Sequence, residues 1–272
     1  MSQVLAFTKM NGAGNDFVTI DNRDLRWNLS GEQIAKLCDR HRGVGADGVL
    51  AVEPAQNGAD FRFRYYNADG GEVEMCGNGA RCFARFVNRL HDFKLPCVTF
   101  ETIAGVIGAE FVGDEVRLKM SEPHSLALNE TLPVRGRDLT VHFLNTGVPH
   151  AVVFVDDLDN TPVHDDGAAL RYHERFAPKG TNANFVKVVG PGEISIRTYE
   201  RGVEGETLAC GTGTVACAIL HHLLHGASSP VKVHVRGGDV LTIGFSPNGA
   251  GSFDDVTLTG PGDLVFDGTI SI

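Results

Sequence analysis

The chain has 272 residues, 42% of them hydrophobic and 21% charged, with a formal net charge of -10. That length suits about two domains and a large buried core. The acidic balance argues against a nucleic-acid partner, which wants clustered Lys and Arg, and no apolar run approaches the roughly 20 residues that span a bilayer. Residues 1–7 lack the basic start and long apolar core of a signal peptide, so a cytoplasmic location is expected. The six cysteines are Cys38, Cys76, Cys82, Cys97, Cys210 and Cys217. Without a secretion signal they do not read as a disulfide framework. With no Cys-x-x-Cys pair and no histidine at finger-like spacing, no metal site is expected.

In chain order, residues 4–10 read as a strand, Asn11-Gly12-Ala13-Gly14-Asn15-Asp16 as a polar glycine turn and 17–21 as a second strand. Ser30 with Gln33 forms a capping box for a helix carrying Ile34, Leu37 and Cys38 and ending by Gly43. Residues 49–52 and the alternating 61–65 are strands, and Asn67-Ala68-Asp69-Gly70-Gly71 is a turn cluster. Cys76-Gly77-Asn78-Gly79 then opens into a helix whose apolar residues Phe83, Phe86, Val87 and Leu90 fall at helical spacing. Strands at 98–102, 106–111 and 116–120 follow, separated by short turns, as an antiparallel meander.

The second half repeats the plan. Strands at 142–144 and 151–155 flank Asn145-Thr146-Gly147-Val148-Pro149-His150, and a helix is expected at 168–176. Strands at 185–189 and 194–199 lead through a turn at 201–206 to Cys210-Gly211-Thr212-Gly213 and its helix. Strands at 231–235, 240–245, 256–259 and 264–266 complete the chain. The repeat has a fixed offset: Cys210 lies 134 positions after Cys76, and Asn145 lies 134 after Asn11. At that offset Gly77 meets Gly211, Gly79 meets Gly213, Tyr65 meets Tyr199 and Glu72 meets Glu206. The fold expected is α+β: two pseudo-symmetric homologous halves, each a mainly antiparallel β-sheet or barrel around a central helix, with the active site in the cleft between them. The halves are drawn at 1–125, carrying Cys76, and 126–272, carrying Cys210.

A thiol at a helix N-terminus meets the positive dipole end and unpaired N–H donors, which lower its pKa below about 8.5. The same N–H groups hold an anion such as a carboxylate. Two such thiols suit stereoinversion at carbon, in which one thiolate removes a proton and the other thiol returns one. The helix N–H groups then stabilise the enolate-like charge that develops on the substrate carboxylate. No clear pyridoxal-phosphate signature is present, and no cofactor is expected.

These residues resemble the diaminopimelate epimerase family. Phe7-Thr8-Lys9-Met10-Asn11-Gly12-Ala13-Gly14-Asn15-Asp16-Phe17 is similar to its N-terminal signature. Asn67-Ala68-Asp69-Gly70 with Met75-Cys76-Gly77-Asn78-Gly79-Ala80-Arg81-Cys82 resembles its first catalytic motif, and Tyr199-Glu200-Arg201-Gly202-Val203 with Ala209-Cys210-Gly211-Thr212-Gly213-Thr214 its second. The resemblance implies a cofactor-independent, two-base epimerase interconverting LL- and meso-2,6-diaminopimelate in lysine and peptidoglycan precursor synthesis, and a homodimer. It makes Cys76 and Cys210 the acid/base pair. It makes Asn11, Asn67, Asn184, Glu200 and Arg201 substrate contacts, Gly77-Asn78 and Gly211-Thr212 backbone cradles, and His150 and Glu200 modulators of thiol pKa. Two positions depart from the family pattern: Gly48 stands where a Gln often follows the Asp, and Val148 where an Asn often precedes Pro-His. Both bear on contacts to the distal amino-acid end.

Plainer readings compete. Gly43-Val44-Gly45-Ala46-Asp47-Gly48 matches G-x-G-x-x-G but follows a helix and precedes a strand, the reverse of the dinucleotide context. Asn11 and Asn67 also serve as turn formers, His150 as a strand cap, Arg201 as an ion-pair member, and His221-His222-x-x-His225 as a solvated helix end. Cys38, Cys82, Cys97 and Cys217 read as inert. Alternative functions are a two-cysteine proline or hydroxyproline racemase, an isomerase of the phenazine-biosynthesis type, which lacks paired cysteines, and a non-catalytic carboxylate-binding module.

Overall fold

The computed structural model describes residues 3–249 and 251–272, which form 17 strands and four helices. Contacts divide the chain into two units, Met1–Leu118 with Gly260–Ile272, and Lys119–Thr259. The sequence division at 125/126 follows repeat order. The division by contacts differs because the last strand of the chain pairs with the first.

In the first unit, β1 (Val4–Gly12) and β2 (Asn15–Asp21) form a hairpin closed by Ala13 and Gly14. Both turn residues have positive φ, 61° and 105°, the conformation that matches strand twist in two-residue hairpins. Helix α1 (Gly31–Cys38) starts at the expected capping box, with Gln33 N–H donating to Ser30 Oγ at 3.3 Å and Ser30 N–H to Gln33 Oε1 at 2.9 Å. It ends before Gly43 because Asp39 turns extended and its carboxylate takes the N–H groups of His41 and Arg42.

Strands β3 (Gly48–Pro54), β4 (Phe61–Asn67), β5 (Cys97–Thr102), β6 (Gly105–Val112) and β7 (Glu115–Lys119) complete the run, with β17 (Asp263–Ser271) beside β1. Helix α2 (Gly77–Leu90) packs against β1, β2, β3, β4, β6 and β17. It is buried around most of its circumference, Asn78, Arg81 and Asn88 included, because strands surround it. Phe83 is fully buried, its ring 4.8 Å from Phe100 and 5.1 Å from Phe63, a burial that contributes about 1.5–3 kcal/mol.

The second unit contains β8 (His124–Val134), β9 (Arg137–Asn145), β10 (Pro149–Phe154), α3 (Val163–Arg171), β11 (Asn182–Gly190), β12 (Glu193–Glu200) and the short β13 (Gly205–Thr207). Helix α4 (Gly211–His225), β14 (Val231–His234), β15 (Val240–Pro247) and β16 (Phe253–Gly260) follow. Helix α4 is the central element here: Val215 through Leu220 are all 0% exposed, and it packs on β9, β10, β11, β12, β14 and β15. It ends where Gly226 adopts the left-handed conformation at φ 71°.

The two units share one pairing scheme. Strands β17-β1-β2-β3-β4-β5-β6-β7 pair in the sequence antiparallel, antiparallel, parallel, antiparallel, parallel, antiparallel, antiparallel. Strands β8-β9-β10-β11-β12-β14-β15-β16 repeat that order of senses. The starts of α2 and α4, of β3 and β11, and of β5 and β14 are each 134 positions apart. Each unit is therefore mainly antiparallel with two parallel joints, at the connections that carry the helices.

Three features differ from the sequence expectations. Strand β8 runs across the 125/126 division drawn from the sequence; it is mostly exposed, contains Pro133, and shifts register on both sides of Ala127, so it shows no alternation. Helix α3 lies five residues earlier than expected and is followed by a separate 3-10 turn, Glu174–Phe176, because His173 is extended (φ -61°, ψ 139°). The turn at 201–206 contains the start of β13. Among the described residues no helix is long and apolar enough to cross a membrane.

Candidate active site

Cys76 is the N-cap of α2, with extended backbone (φ -140°, ψ 123°) and its carbonyl accepting the Ala80 N–H at 2.7 Å. Cys210 holds the same place on α4 (φ -122°, ψ 105°), its carbonyl accepting the Thr214 N–H at 3.0 Å. Neither cysteine caps its helix with its side chain, so the first-turn N–H groups are not occupied by their own cap and suit an anion.

In the first unit the helix mouth is braced by a buried polar chain. Arg81, 0% exposed, donates to Asn78 Oδ1 (2.9 Å), Gly12 O (3.2 Å) and Pro261 O (3.0 Å). Asn78 donates to Asn15 Oδ1 at 2.7 Å, and Asn15 to Asp47 Oδ2 at 2.9 Å. Arg40 bridges Asp47 and Asp16 at 2.8 Å, and Lys9 lies 2.8 Å from Asp16. Burial alone would raise the Asp16 carboxyl, but Arg40 and Lys9 hold it down at about 2. With both amide ends of Asn78 engaged, its backbone N–H is what it offers a ligand. Asn11 Oδ1 accepts the Gly14 N–H at 2.8 Å and so shapes the hairpin turn, and Asn67 is half-buried at the end of β4.

In the second unit Cys210 Sγ lies 3.6 Å from Thr212 Oγ1, which is 3.0 Å from His150 Nε2. His150 is 0% exposed, and burial, together with the nearby Arg201 charge, pushes its pKa down to about 3, so the ring is neutral. Glu200 accepts the Thr207 hydroxyl at 2.9 Å, and burial raises its pKa. The Arg201 backbone N–H donates to Asn182 Oδ1 at 2.9 Å and its guanidinium to Lys179 O at 3.2 Å.

Asn184 departs from its expected role as a substrate contact. It is 0% exposed, its Nδ2 donates to His150 Nδ1 and Ala151 O, both at 3.1 Å, and its Oδ1 accepts the Thr198 hydroxyl at 2.9 Å. Asn182, which the sequence reading passed over, is the asparagine beside Arg201. The two-residue spacing puts Asn182 and Asn184 on one face of β11, and that alternation is the signal that could have found it. Asn15, Asp47, Arg81 and Thr198 were also missed.

Gly48 is explained by packing: a Cβ there would stand 2.5 Å from Tyr66 O and 2.6 Å from Tyr65 Cε2. Val148 sits in the β9–β10 turn, its carbonyl accepting the Thr146 N–H at 3.2 Å. Burial drives up the thiol pKa values of Cys38, to about 11, and of Cys82 and Cys217, whereas Cys97 is exposed. The histidine triplet closes α4: His222 Nδ1 contacts Ala227 O at 2.6 Å, and His221 and His225 meet through Nδ1 at 3.3 Å.

The diaminopimelate epimerase family model matches residues 7–125 and 142–255. A diaminopimelate epimerase from Hydrogenobaculum sp. (strain Y04AAS1) is 46% identical, the match covering 98% of this chain and 99% of the relative. One from Aquifex aeolicus (strain VF5) is 45% identical with 98% of each chain covered. Among solved structures, a hydroxyproline epimerase from Agrobacterium vitis superposes with TM-score 0.70 at 18% identity, covering 99% of this chain and 93% of that one. A phenazine biosynthesis protein of the PhzF family from Bacillus anthracis gives TM-score 0.73 at 14% identity, covering 99% and 100%. At these identities the two structures share the fold alone.

Proposed function

The chain belongs to the diaminopimelate epimerase family, and on that premise we propose that it interconverts LL- and meso-2,6-diaminopimelate by a two-thiol proton exchange without a cofactor. The observation that carries this reading is the repeated helix mouth: a cysteine at the N-cap of the central helix in each unit, 134 positions apart, neither thiol capping its helix. In the forward step one cysteine thiolate takes the α-proton, and the electron pair delocalises into the substrate carboxylate. The opposite thiol then delivers its proton to the other face of the α-carbon. Each turnover exchanges the thiol and thiolate, so the reverse reaction starts from the product enzyme. The backbone N–H groups of Gly77-Asn78 and Gly211-Thr212 receive the reacting carboxylate, where a helix N-terminus favours the growing negative charge.

Arg201 suits a substrate carboxylate, as a guanidinium fork does, and Asn11, Asn67 and Glu200 are assigned to the substrate's polar groups. His150 and Glu200 are assigned to tuning the thiols. The neutral state of His150 fits a hydrogen-bonding role rather than that of a counter-charge. The homodimer belongs to the same reading and is checked by light scattering.

The test is an inversion assay on LL-diaminopimelate and on L-proline with the parent enzyme, Cys76→Ala and Cys210→Ala. The expected result is turnover of diaminopimelate only, with each variant at least about 10²-fold slower, the usual worth of a positioned acid or base. Proline turnover would transfer the reading to the racemase alternative. Full activity in either variant would falsify the two-thiol mechanism.

A further inference from the structure

The amide of Asn184 is oriented by its surroundings. Ala151 O, 3.1 Å away, is a backbone carbonyl and only accepts, so the nitrogen end of the amide must face it. The same Nδ2 lies 3.1 Å from His150 Nδ1, which must then be the accepting ring nitrogen. A neutral imidazole with Nδ1 as acceptor carries its proton on Nε2. Nε2 is 3.0 Å from Thr212 Oγ1, so the hydroxyl accepts there and its own hydrogen is left to point elsewhere. The Cys210 Sγ lies 3.6 Å from that hydroxyl, within reach for a bond to sulfur. Thr198 on Asn184 Oδ1 and Thr146 donating to Thr212 O at 2.9 Å pin both ends of the chain.

We propose that Asn184 is a positioning residue that sets the tautomer of His150, so that the Thr212 hydroxyl donates its hydrogen bond to the Cys210 thiolate. This rests on the reading of Cys210 as an acid/base group. The relay acts on one thiol only. At the 134-position offset Asn78 replaces Thr212, Asp16 replaces His150 and Leu50 replaces Asn184, so the first unit has no counterpart. The two helix mouths of the repeated plan thereby differ in chemistry, the Thr212–His150–Asn184 set belonging to Cys210 alone.

The test is the pH dependence of iodoacetamide alkylation of Cys210, read by peptide mass spectrometry in a Cys76→Ala background. Removing the hydroxyl in Thr212→Val should slow alkylation about tenfold below the midpoint, equivalent to a midpoint about one pH unit higher, while Thr212→Ser keeps the parent profile. Asn184→Leu, which removes the donor to His150, should slow it by about threefold or more. Protection of the buried Cys217 in the same digest shows that each variant is folded. Nitrogen-15 NMR of labelled histidine in the unmutated protein gives a second reading, with the His150 proton expected on Nε2. A proton on Nδ1, or alkylation profiles of Thr212→Val or Asn184→Leu that match the parent, overturns the relay. If those profiles are unshifted while Cys210→Ala is inactive, the relay fails and the two-thiol reading stands. If Cys210→Ala is active, the two-thiol reading itself fails.

Discussion

Gly79 and Gly213 occupy equivalent places in the first turns of α2 and α4, yet the structure predicts opposite responses to alanine. A Cβ on Gly79 would lie 3.4 Å from Leu50 Cδ2 and 3.5 Å from Phe17 Cε1, ordinary contact distances. Gly79→Ala should therefore keep most of the roughly 0.5–1 kcal/mol that alanine gains over glycine in a helix. A Cβ on Gly213 would lie 2.6 Å from Asn184 Oδ1. That oxygen cannot retreat cheaply, because the amide is held by Ala151 O, His150 and Thr198. Overpacking of this kind costs about 1–3 kcal/mol, which outweighs the helix gain. The difference between the two variants should be about 2 kcal/mol, or roughly 4–8 °C in melting temperature. The assay is thermal unfolding followed by circular dichroism. Equal melting temperatures, or Gly213→Ala the more stable of the two, would refute the close packing of Asn184 against α4.

Other perturbations test different parts of the account. Arg81→Met removes the donor to Gly12 O, Gly77 O, Pro261 O and Asn78 Oδ1 and leaves buried acceptors unsatisfied. The loss should be at least about 3 kcal/mol in urea unfolding, and a loss under about 1 kcal/mol would contradict the bracing role. His150, with a pKa pushed down to about 3, stays neutral in the folded protein as the unfolded chain takes up a proton near its ordinary value of 6.5. Above that value both states are neutral and the group contributes no slope. Below it stability falls by up to about 1.4 kcal/mol per pH unit until pH 3. His150→Gln should flatten the stability curve between pH 6 and 5, and an unchanged slope would count against the neutral buried ring. At pH 8 a short alkylation should label the exposed Cys97 but not Cys38, Cys82 or Cys217, whose thiolates are disfavoured by burial. Labelling of Cys217 as fast as Cys97 would contradict the packing of α4.

The site was legible where chemistry coincides with local pattern. Cys76 and Cys210 stand out because Cys-Gly-x-Gly opens a helix twice at one offset, and α2 and α4 begin where that pattern places them. The bracing shell was not legible, because Arg81 meets Pro261 and Asn15 meets Asp47 across long stretches of chain. Asn184 was assigned from motif position alone, whereas its role follows from which carbonyl and which ring nitrogen its amide faces. Strand β8 escaped because an edge-like, mostly exposed strand with register shifts has no alternation to read. The swap of β17 into the first unit escaped for a related reason: pairing between the two ends of a chain leaves no local trace.

The central claim is that two different thiols serve the two faces of one carbon. The direct measurement is deuterium incorporation at early times, starting from unlabelled LL-diaminopimelate in heavy water. A two-thiol enzyme should place solvent deuterium on the α-carbon of the meso product while the remaining substrate stays unlabelled. Label entering the returned substrate as fast as the product, or substrate hydrogen carried over intact into the product, would mean that a single group works both faces and would contradict the account.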